Sequence, residues 1–136
     1  MARLTPRMKN WLAGTGAHIG TATPQGLPTV IVVDKAQPDG DEAIRFTLSD
    51  SQRRQVEANI AANPVVAFGP GSIGSIRAAY QFKGQARIEG NDLVIKVDEI
   101  YSTKPGPEAG LRLDSLPYES VIKFEETRWR DSGPPK

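Results

Sequence analysis

The sequence predicts a single, mainly β domain with a few short helices. Its 136 residues are the length of one ordinary domain. Its 13 glycines and 11 prolines divide the chain into short segments, which is typical of β-rich domains rather than of helical bundles. Several segments carry β-branched runs or alternate polar with apolar residues, as strands do. We therefore expect one domain over residues 1–130 and a polar tail over residues 131–136.

Charge, cysteine content and apolar runs exclude several classes of function. The 17 basic and 16 acidic residues leave a formal charge of +1, whereas a nucleic-acid binder needs a surplus of Lys and Arg. The chain has no cysteine and one histidine, so we expect no metal site. Its longest aliphatic run, Val30 to Val33, is far shorter than the ~20 residues of a membrane span. The sequence therefore predicts a soluble, cytoplasmic protein with neither nucleic-acid nor membrane partners.

The chain begins with a predicted helix and hairpin. Thr5 is a cap and is followed by a proline, which together start the helix. Apolar residues then recur at helical spacing, and Gly14 is expected to end the helix. The strands His18–Thr23 and Pro28–Asp34 then flank a Pro-Gln-Gly turn. Because Thr29–Val33 shows no polar alternation, the second strand is expected to be covered on both faces, as in a barrel packed against something else.

The middle of the chain is predicted as loop, strand, helix and strand. Pro38, Asp39 and Gly40 indicate a polar loop, and Ala43–Leu48 a third strand. Ser49–Asn63 is the clearest helix, because its first residue and Gln52 fit a capping box and Asn-Pro ends it. Val65–Phe68 then forms a short buried strand.

The second half is predicted as two long strands, a loop and a last strand. After a flexible loop at Pro70–Gly74, the segment Arg77–Ile88 alternates between apolar and polar residues and so forms a half-exposed strand. A Gly-Asn-Asp turn leads into the strand Leu93–Tyr101. Ser102–Pro117 is a long, Pro- and Gly-rich loop, and Glu119–Trp129 supplies the last strand.

The start of the second helix carries the residues best suited to bind an anion. Free backbone N–H groups there combine with Ser49, Ser51, Arg53 and Arg54 in a pattern suited to a phosphate. Taken alone, this segment is better explained as a capped helix with solvated arginines, because caps vastly outnumber phosphate sites. The order of the other elements changes that balance.

Two motifs in a fixed order identify a family resemblance. The second helix ends in Ala-Asn-Ile-x-x-Asn-Pro-x-Val at residues 58–66, and Phe-x-Gly-x-Ala follows at residues 82–86. With the elements around them, over roughly residues 7 to 100, they resemble the pyridoxamine 5′-phosphate oxidase-like family of FMN-binding split β-barrels. In particular, the chain resembles the small stand-alone FMN-binding proteins of that family.

The resemblance implies a six-stranded antiparallel split β-barrel that forms a homodimer with FMN at the subunit interface. The strand bearing Thr29, Ile31, Val32 and Val33 would follow the flavin ring, mostly through its backbone, and Thr47 would reach the ribityl or phosphate end. Ser51 with Arg53 or Arg54 would hold the phosphate, since Gln55 replaces a lysine of the relatives. The remaining candidates are Ser49 beside them and Gln81 and Lys83, which equally fit an ordinary solvated strand face.

The resulting hypothesis is an FMN-dependent oxidoreductase of a small-molecule substrate, or an electron carrier with a redox partner. FMN itself performs hydride or electron transfer, so no catalytic triad is needed. The alternatives are a deazaflavin-dependent reductase of the same superfamily and a non-catalytic flavin- or haem-binding module. The single histidine, His18, is interpreted as a partly exposed strand residue. Tyr101 and Lys104 either close over the cofactor with the long loop or belong to a plain surface loop.

Overall fold

A computed structural model describes residues 2–73, 76–77 and 79–128 of the chain. Within them the chain forms three helices and nine strands, and none of these helices is long and apolar enough to cross a membrane. In chain order the elements are α1 (Pro6–Thr15), β1 (Ala17–Ala22), β2 (Pro28–Val33), β3 (Ala36–Asp39), β4 (Ala43–Thr47), α2 (Asp50–Ala62), β5 (Val65–Pro70), β6 (Ser72–Ile73), β7 (Ile76–Arg77), β8 (Tyr80–Glu89), β9 (Asp92–Ser102) and α3 (Tyr118–Arg128).

Seven strands form one curled antiparallel sheet in the order β2-β1-β5-β8-β9-β4-β3, and β6 pairs with β7 alone. The predicted class, a mainly β split barrel with short helices, is confirmed. The strand count differs because β3, predicted as a polar loop, pairs with β4. Pro38 lies opposite Ile44 there, and an edge strand tolerates proline because it has an unpaired side where no N–H is needed.

The core fills the inner face of this sheet and the underside of α1. Trp11, Phe46 and Phe82 are its largest fully buried side chains. Phe68 stacks on Phe82 with ring centroids 5.0 Å apart and meets Phe46 edge-on at 5.5 Å. The alternation predicted for β8 is confirmed, because its apolar residues are buried while Gln81 and its other polar residues face outward.

Both predicted helices are present with the predicted caps. Thr5 and Met8 close a capping box on α1, and Ser49 and Gln52 close one on α2. α1 continues past the expected stop at Gly14 to Thr15, and Gly16 is its C-cap. Gly16 has φ +67°, the left-handed conformation that glycine adopts without strain, and its N–H bonds back to Leu12.

The predicted last strand, Glu119–Trp129, is wrong, because this segment is the helix α3. Val121, Phe124 and Glu125 are its inward-facing residues, at i, i+3 and i+4, which is helical and not strand spacing. The long loop before it is confirmed as turns with one isolated bridge, Tyr101 to Arg112. Three further predictions lie outside the described residues: Gly74 of the flexible loop, Trp129, and the tail 131–136.

A buried carboxylate fastens α3 to the rest of the domain. Glu125 is only 3% exposed and accepts hydrogen bonds from the Thr5 hydroxyl, at 2.8 Å, and from the Tyr80 hydroxyl. Thr5 is also the N-cap of α1, so one carboxylate links α1, β8 and α3. Burial raises the pKa of Glu125 above its ordinary value.

Candidate functional site

The register of the sheet brings candidate residues together on its outer face. Alternation along each strand turns Ile19, Ile31, Phe68 and Phe82 inward and their sequence neighbours outward. The pairing then gives one continuous outer row, Val30–Gly20–Ala67–Lys83–Glu99. Beside it lie Val32–His18–Gly69 and the pair Gln81–Tyr101.

This outer face carries small and apolar residues, with the exposed His18 among them. Gly20, Ala67 and Gly69 carry at most a methyl group, and the side chains of Val30 and Val32, 65% and 60% exposed, flank them. Among the residues that the structure describes nothing covers Val30 and Val32, so the expected cover on the outer face of β2 would have to come from something else. Such a contiguous exposed apolar area marks a binding surface more often than a solvated one.

The part of the outer face that lies on β8 and β9 is polar. The Lys83 ammonium lies 5.2 Å from the centre of the Tyr101 ring, and the Tyr101 hydroxyl donates to Glu99 at 2.6 Å. That hydrogen bond raises the pKa of Tyr101. Gln81 pairs with Tyr101 and is exposed. Gln81 and Lys83 thus lie on the same face of the sheet as Val32, but β1 and β5 separate them from β2.

Helix α2 runs beside the free edge of β2. The Gln52 side-chain N–H donates to the Val32 carbonyl at 2.7 Å, and the Asn59 amide donates to the Thr29 and Thr21 hydroxyls at 3.1 and 2.9 Å. The seven-residue step from Gln52 to Asn59 covers ~10.5 Å along the helix, and the three-residue step from Val32 back to Thr29 covers ~10 Å along the strand. The helix and the edge strand are therefore antiparallel neighbours over this length.

The four predicted site residues of β2 do not all lie on the same face of the strand. Thr29 is tied to Asn59, and Ile31 and Val33 are 5% and 2% exposed, so these three side chains face inward. Of the four, only Val32 turns its side chain outward. Because the Val32 carbonyl points away from β1, antiparallel alternation directs the backbone polar groups of Val30 the same way.

The first turns of α2 separate the residues predicted to hold a phosphate. At 100° per residue, Ser51 and Arg53 lie about 200° apart around the helix. Arg53 donates to Asn91 at 3.3 Å and pairs with Glu57 at 3.7 Å. The structure therefore does not bring Ser51 and Arg53 to one anion.

Arg54 and Gln55 lie closer to Ser51 than Arg53 does. Gln55 donates to the Ser51 hydroxyl at 3.5 Å, and Arg54 follows Ser51 by three residues. Arg54 is exposed, and its side chain makes no hydrogen bond or ion pair with any residue that the structure describes. The Ser49 hydroxyl accepts the Gln52 N–H at 3.1 Å, so Ser49 serves as a cap.

Thr47 lies at a separate polar cavity of ≈ 330 Å³. It shares the lining with Lys35, Ala36, Gln37, Arg45 and Asp92. Arg45 is committed to Asp92, Glu89 and Asp39, at 3.1, 3.3 and 3.5 Å. Lys35 makes no ion pair within the described part of the chain. Sequence reasoning missed Lys35, although a lysine directly after a strand that resembles a flavin-binding strand was a usable signal.

No family model and no curated protein matches the chain. Solved structures do match. HupZ of Group A Streptococcus is 21% identical, with TM-score 0.62, over 79% of this chain and 99% of its own. A proposed pyridoxamine 5′-phosphate oxidase of Lactobacillus delbrueckii is 13% identical, with TM-score 0.62, over 74% and 94%. An FMN-binding protein of Syntrophomonas wolfei is 13% identical, with TM-score 0.58, over 72% and 83%.

These structures share the fold of the chain over most of its length. The chain therefore has the pyridoxamine 5′-phosphate oxidase-like FMN-binding fold, and the resemblance predicted from its sequence is confirmed at that level. The low identities make this a statement about the fold alone.

Proposed function

We propose that the chain is an FMN-binding flavoprotein that acts as a homodimer, either as an oxidoreductase of a small molecule or as an electron carrier. The observation that carries this proposal is the outer face of small and apolar residues beside β2, next to the start of α2, where the Arg54 side chain makes no ion pair with any described residue. A flavin needs such a surface for its ring and a cation for its phosphate. The cytoplasmic location stays a prediction.

The outer face suits an isoalloxazine ring in shape and in polarity. The small side chains of Gly20 and Ala67 leave room for a planar group, and Val30 and Val32 offer apolar contact. The outward backbone groups of Val30 are available to the polar edge of the ring. When bound, FMN supplies hydride or electron transfer, while these residues orient the ring and exclude water.

The phosphate is assigned to the flank of α2 that carries Ser51 and Arg54. A guanidinium offers two parallel hydrogen bonds to phosphate oxygens, and the Ser51 hydroxyl and the helix dipole add to them. Arg53 suits this role less well, because it already contacts Asn91 and Glu57 and lies on another side of the helix. The alternative position for the phosphate is the polar cavity beside Thr47, where Lys35 would be the cation that binds it.

Arg54→Ala is expected to weaken FMN binding about ten- to a hundredfold, because a charge-assisted hydrogen bond contributes ~1.5–3 kcal/mol. Arg53→Ala is the matched control, one residue away on the other flank, and is expected to change affinity less than about threefold. Flavin fluorescence titration gives both values. Riboflavin lacks the phosphate and should bind all variants equally.

Lys35→Ala distinguishes the two phosphate positions. If Lys35→Ala weakens FMN and Arg54→Ala does not, the phosphate lies in the Thr47 cavity and our assignment to α2 is wrong. A loss shared equally by FMN and riboflavin would indicate general damage to the site. Circular dichroism checks that each variant folds.

The homodimer is proposed from the same face. Val30 and Val32 project from the terminal strand of the sheet and are 65% and 60% exposed, with no cover from any described residue. A second copy would remove them from water and close the cofactor site from the other side.

Val32→Glu is expected to raise the dimer dissociation constant roughly 10- to 100-fold, since it places a charge in an apolar contact. Sedimentation velocity of the 14.7 kDa chain over a concentration series measures this. Leu111→Glu, likewise at an exposed aliphatic residue but in the 103–117 loop, is the control and should remain dimeric. A wild-type chain that stays monomeric while saturated with flavin would contradict the proposal.

One observation favours a second candidate, a haem-binding module. His18 is exposed on the outer face, between Val32 and Gly69, where an apolar macrocycle would lie. Imidazole is a common axial ligand of haem iron. If this candidate holds, haem titration gives a Soret shift that His18→Ala abolishes while FMN affinity is unchanged; no shift in the wild-type protein removes the candidate.

A further inference from the structure

The first turn of α2 is tied to β2 by the side-chain amide of Gln52. The amide nitrogen donates to the Val32 carbonyl at 2.7 Å, and the amide oxygen accepts the Ser49 backbone N–H at 3.0 Å. The backbone N–H of Gln52 donates in turn to the Ser49 hydroxyl at 3.1 Å. One side chain therefore holds both the start of α2 and the edge strand β2, which carry the two halves of the proposed flavin site.

The other polar contacts of α2 do not set its distance from β2 at this end. Asn59 bonds hydroxyl groups on β1 and β2, but it lies seven residues further along, which is ~10.5 Å along the helix. Asn91 hydrogen-bonds Asp50 and Arg53, each at 3.3 Å, but it belongs to the turn between β8 and β9. Among the described residues, Gln52 is thus the one that bonds the first turn of α2 to β2.

We propose that Gln52 is a positioning residue of the flavin site. This inference rests on the proposed function, in which β2 carries the ring and the start of α2 carries the phosphate. FMN has to contact both elements at once, and it binds tightly only if their separation is set before it arrives. The hydrogen bond from Gln52 to Val32 sets that separation. Riboflavin has no phosphate, so it depends on β2 alone.

Gln52→Met tests this role, because methionine has a similar length but cannot donate to the Val32 carbonyl. We expect the dissociation constant of FMN to rise roughly three- to tenfold, as for the loss of one hydrogen bond, and that of riboflavin to change less than about twofold. Flavin fluorescence titration measures both constants, and urea unfolding checks the stability of the variant. The difference between the two ligands is the decisive readout, because a merely structural role would weaken both or neither.

Ser49→Ala is the matched control for the helix cap. It removes the hydroxyl that accepts the Gln52 backbone N–H and leaves the bond from Gln52 to Val32 in place. It should therefore lower stability but keep FMN affinity within about twofold of wild type.

Three results would overturn the positioning role alone: FMN and riboflavin weakened equally by Gln52→Met, neither ligand weakened by it, or an equal loss of FMN affinity in Ser49→Ala. In each of these cases the wild-type protein still binds FMN. Wild-type protein that does not bind FMN would overturn the proposed function, and the positioning role with it.

Discussion

Gly84→Ala is expected to lower the free energy of unfolding by about 3 kcal/mol or more, because β8 has no room for a side chain there. A Cβ at this position would lie 2.1 Å from the Lys96 carbonyl oxygen and 3.0 Å from the Ile95 side chain. The position adjoins the register shift between β8 and β9 at Lys83 and Gly84. Two backbones would have to separate at the centre of the sheet.

Urea unfolding followed by circular dichroism measures this loss, and Gly20→Ala is the matched control. Both glycines lie within strands, but the nearest neighbour of a Cβ at Gly20 is the Ala67 carbonyl oxygen at 3.5 Å, an ordinary contact. We expect Gly20→Ala to change stability by less than about 1 kcal/mol. Equal losses at the two positions would contradict the close approach of β8 and β9.

Glu125→Ala is expected to cost about 3–5 kcal/mol of stability, because Thr5 and Tyr80 both lose the carboxylate oxygen that accepts their hydrogen bonds. The loss should release α3 first. Limited trypsin cleavage within α3, read by mass spectrometry, would then precede global unfolding. Glu125→Gln keeps an acceptor of similar size and should lose less than half as much.

The same carboxyl group gives a pH dependence of defined sign. Burial raises the pKa of Glu125 above 4.5, while Tyr80 and Arg7 oppose this shift and Glu126 adds to it. The folded state therefore binds the proton more tightly than the unfolded state. The contribution of this proton to stability is fully present below pH 4.5 and is lost as the pH rises through the folded-state pKa. The stability of wild type relative to Glu125→Gln should fall over that range; a constant difference would contradict this.

Local chemistry made α1, α2 and the long strands predictable. The capping box at Ser49 and Gln52 and the alternation along β8 are both encoded within a few residues. β3 was missed because Pro38 reads as a loop unless its edge position is known. α3 was missed because Val121 and Glu125 show helical spacing only when a buried glutamate is accepted as part of the inward face.

The position of the candidate site stays a prediction, and the sequence alone could not decide which of its side chains would contribute. The order of motifs placed it at β2 and the start of α2, and the fold agrees with that order. The choice between Arg53 and Arg54 depends on the rotation of α2, which the contacts of Gln52 and Asn59 set across the sheet. Lys35 reaches a cavity that exists only because β3 pairs with β4.

The identity of the chromophore released from the purified protein tests the proposed function most directly. The protein is denatured after purification from cells, and the supernatant is analysed by absorbance and mass spectrometry. We predict FMN at about one molecule per chain, or stoichiometric uptake of FMN when the protein is isolated without it. Release of a deazaflavin with a glutamyl tail, or failure to bind added FMN at micromolar concentration, would contradict the proposal.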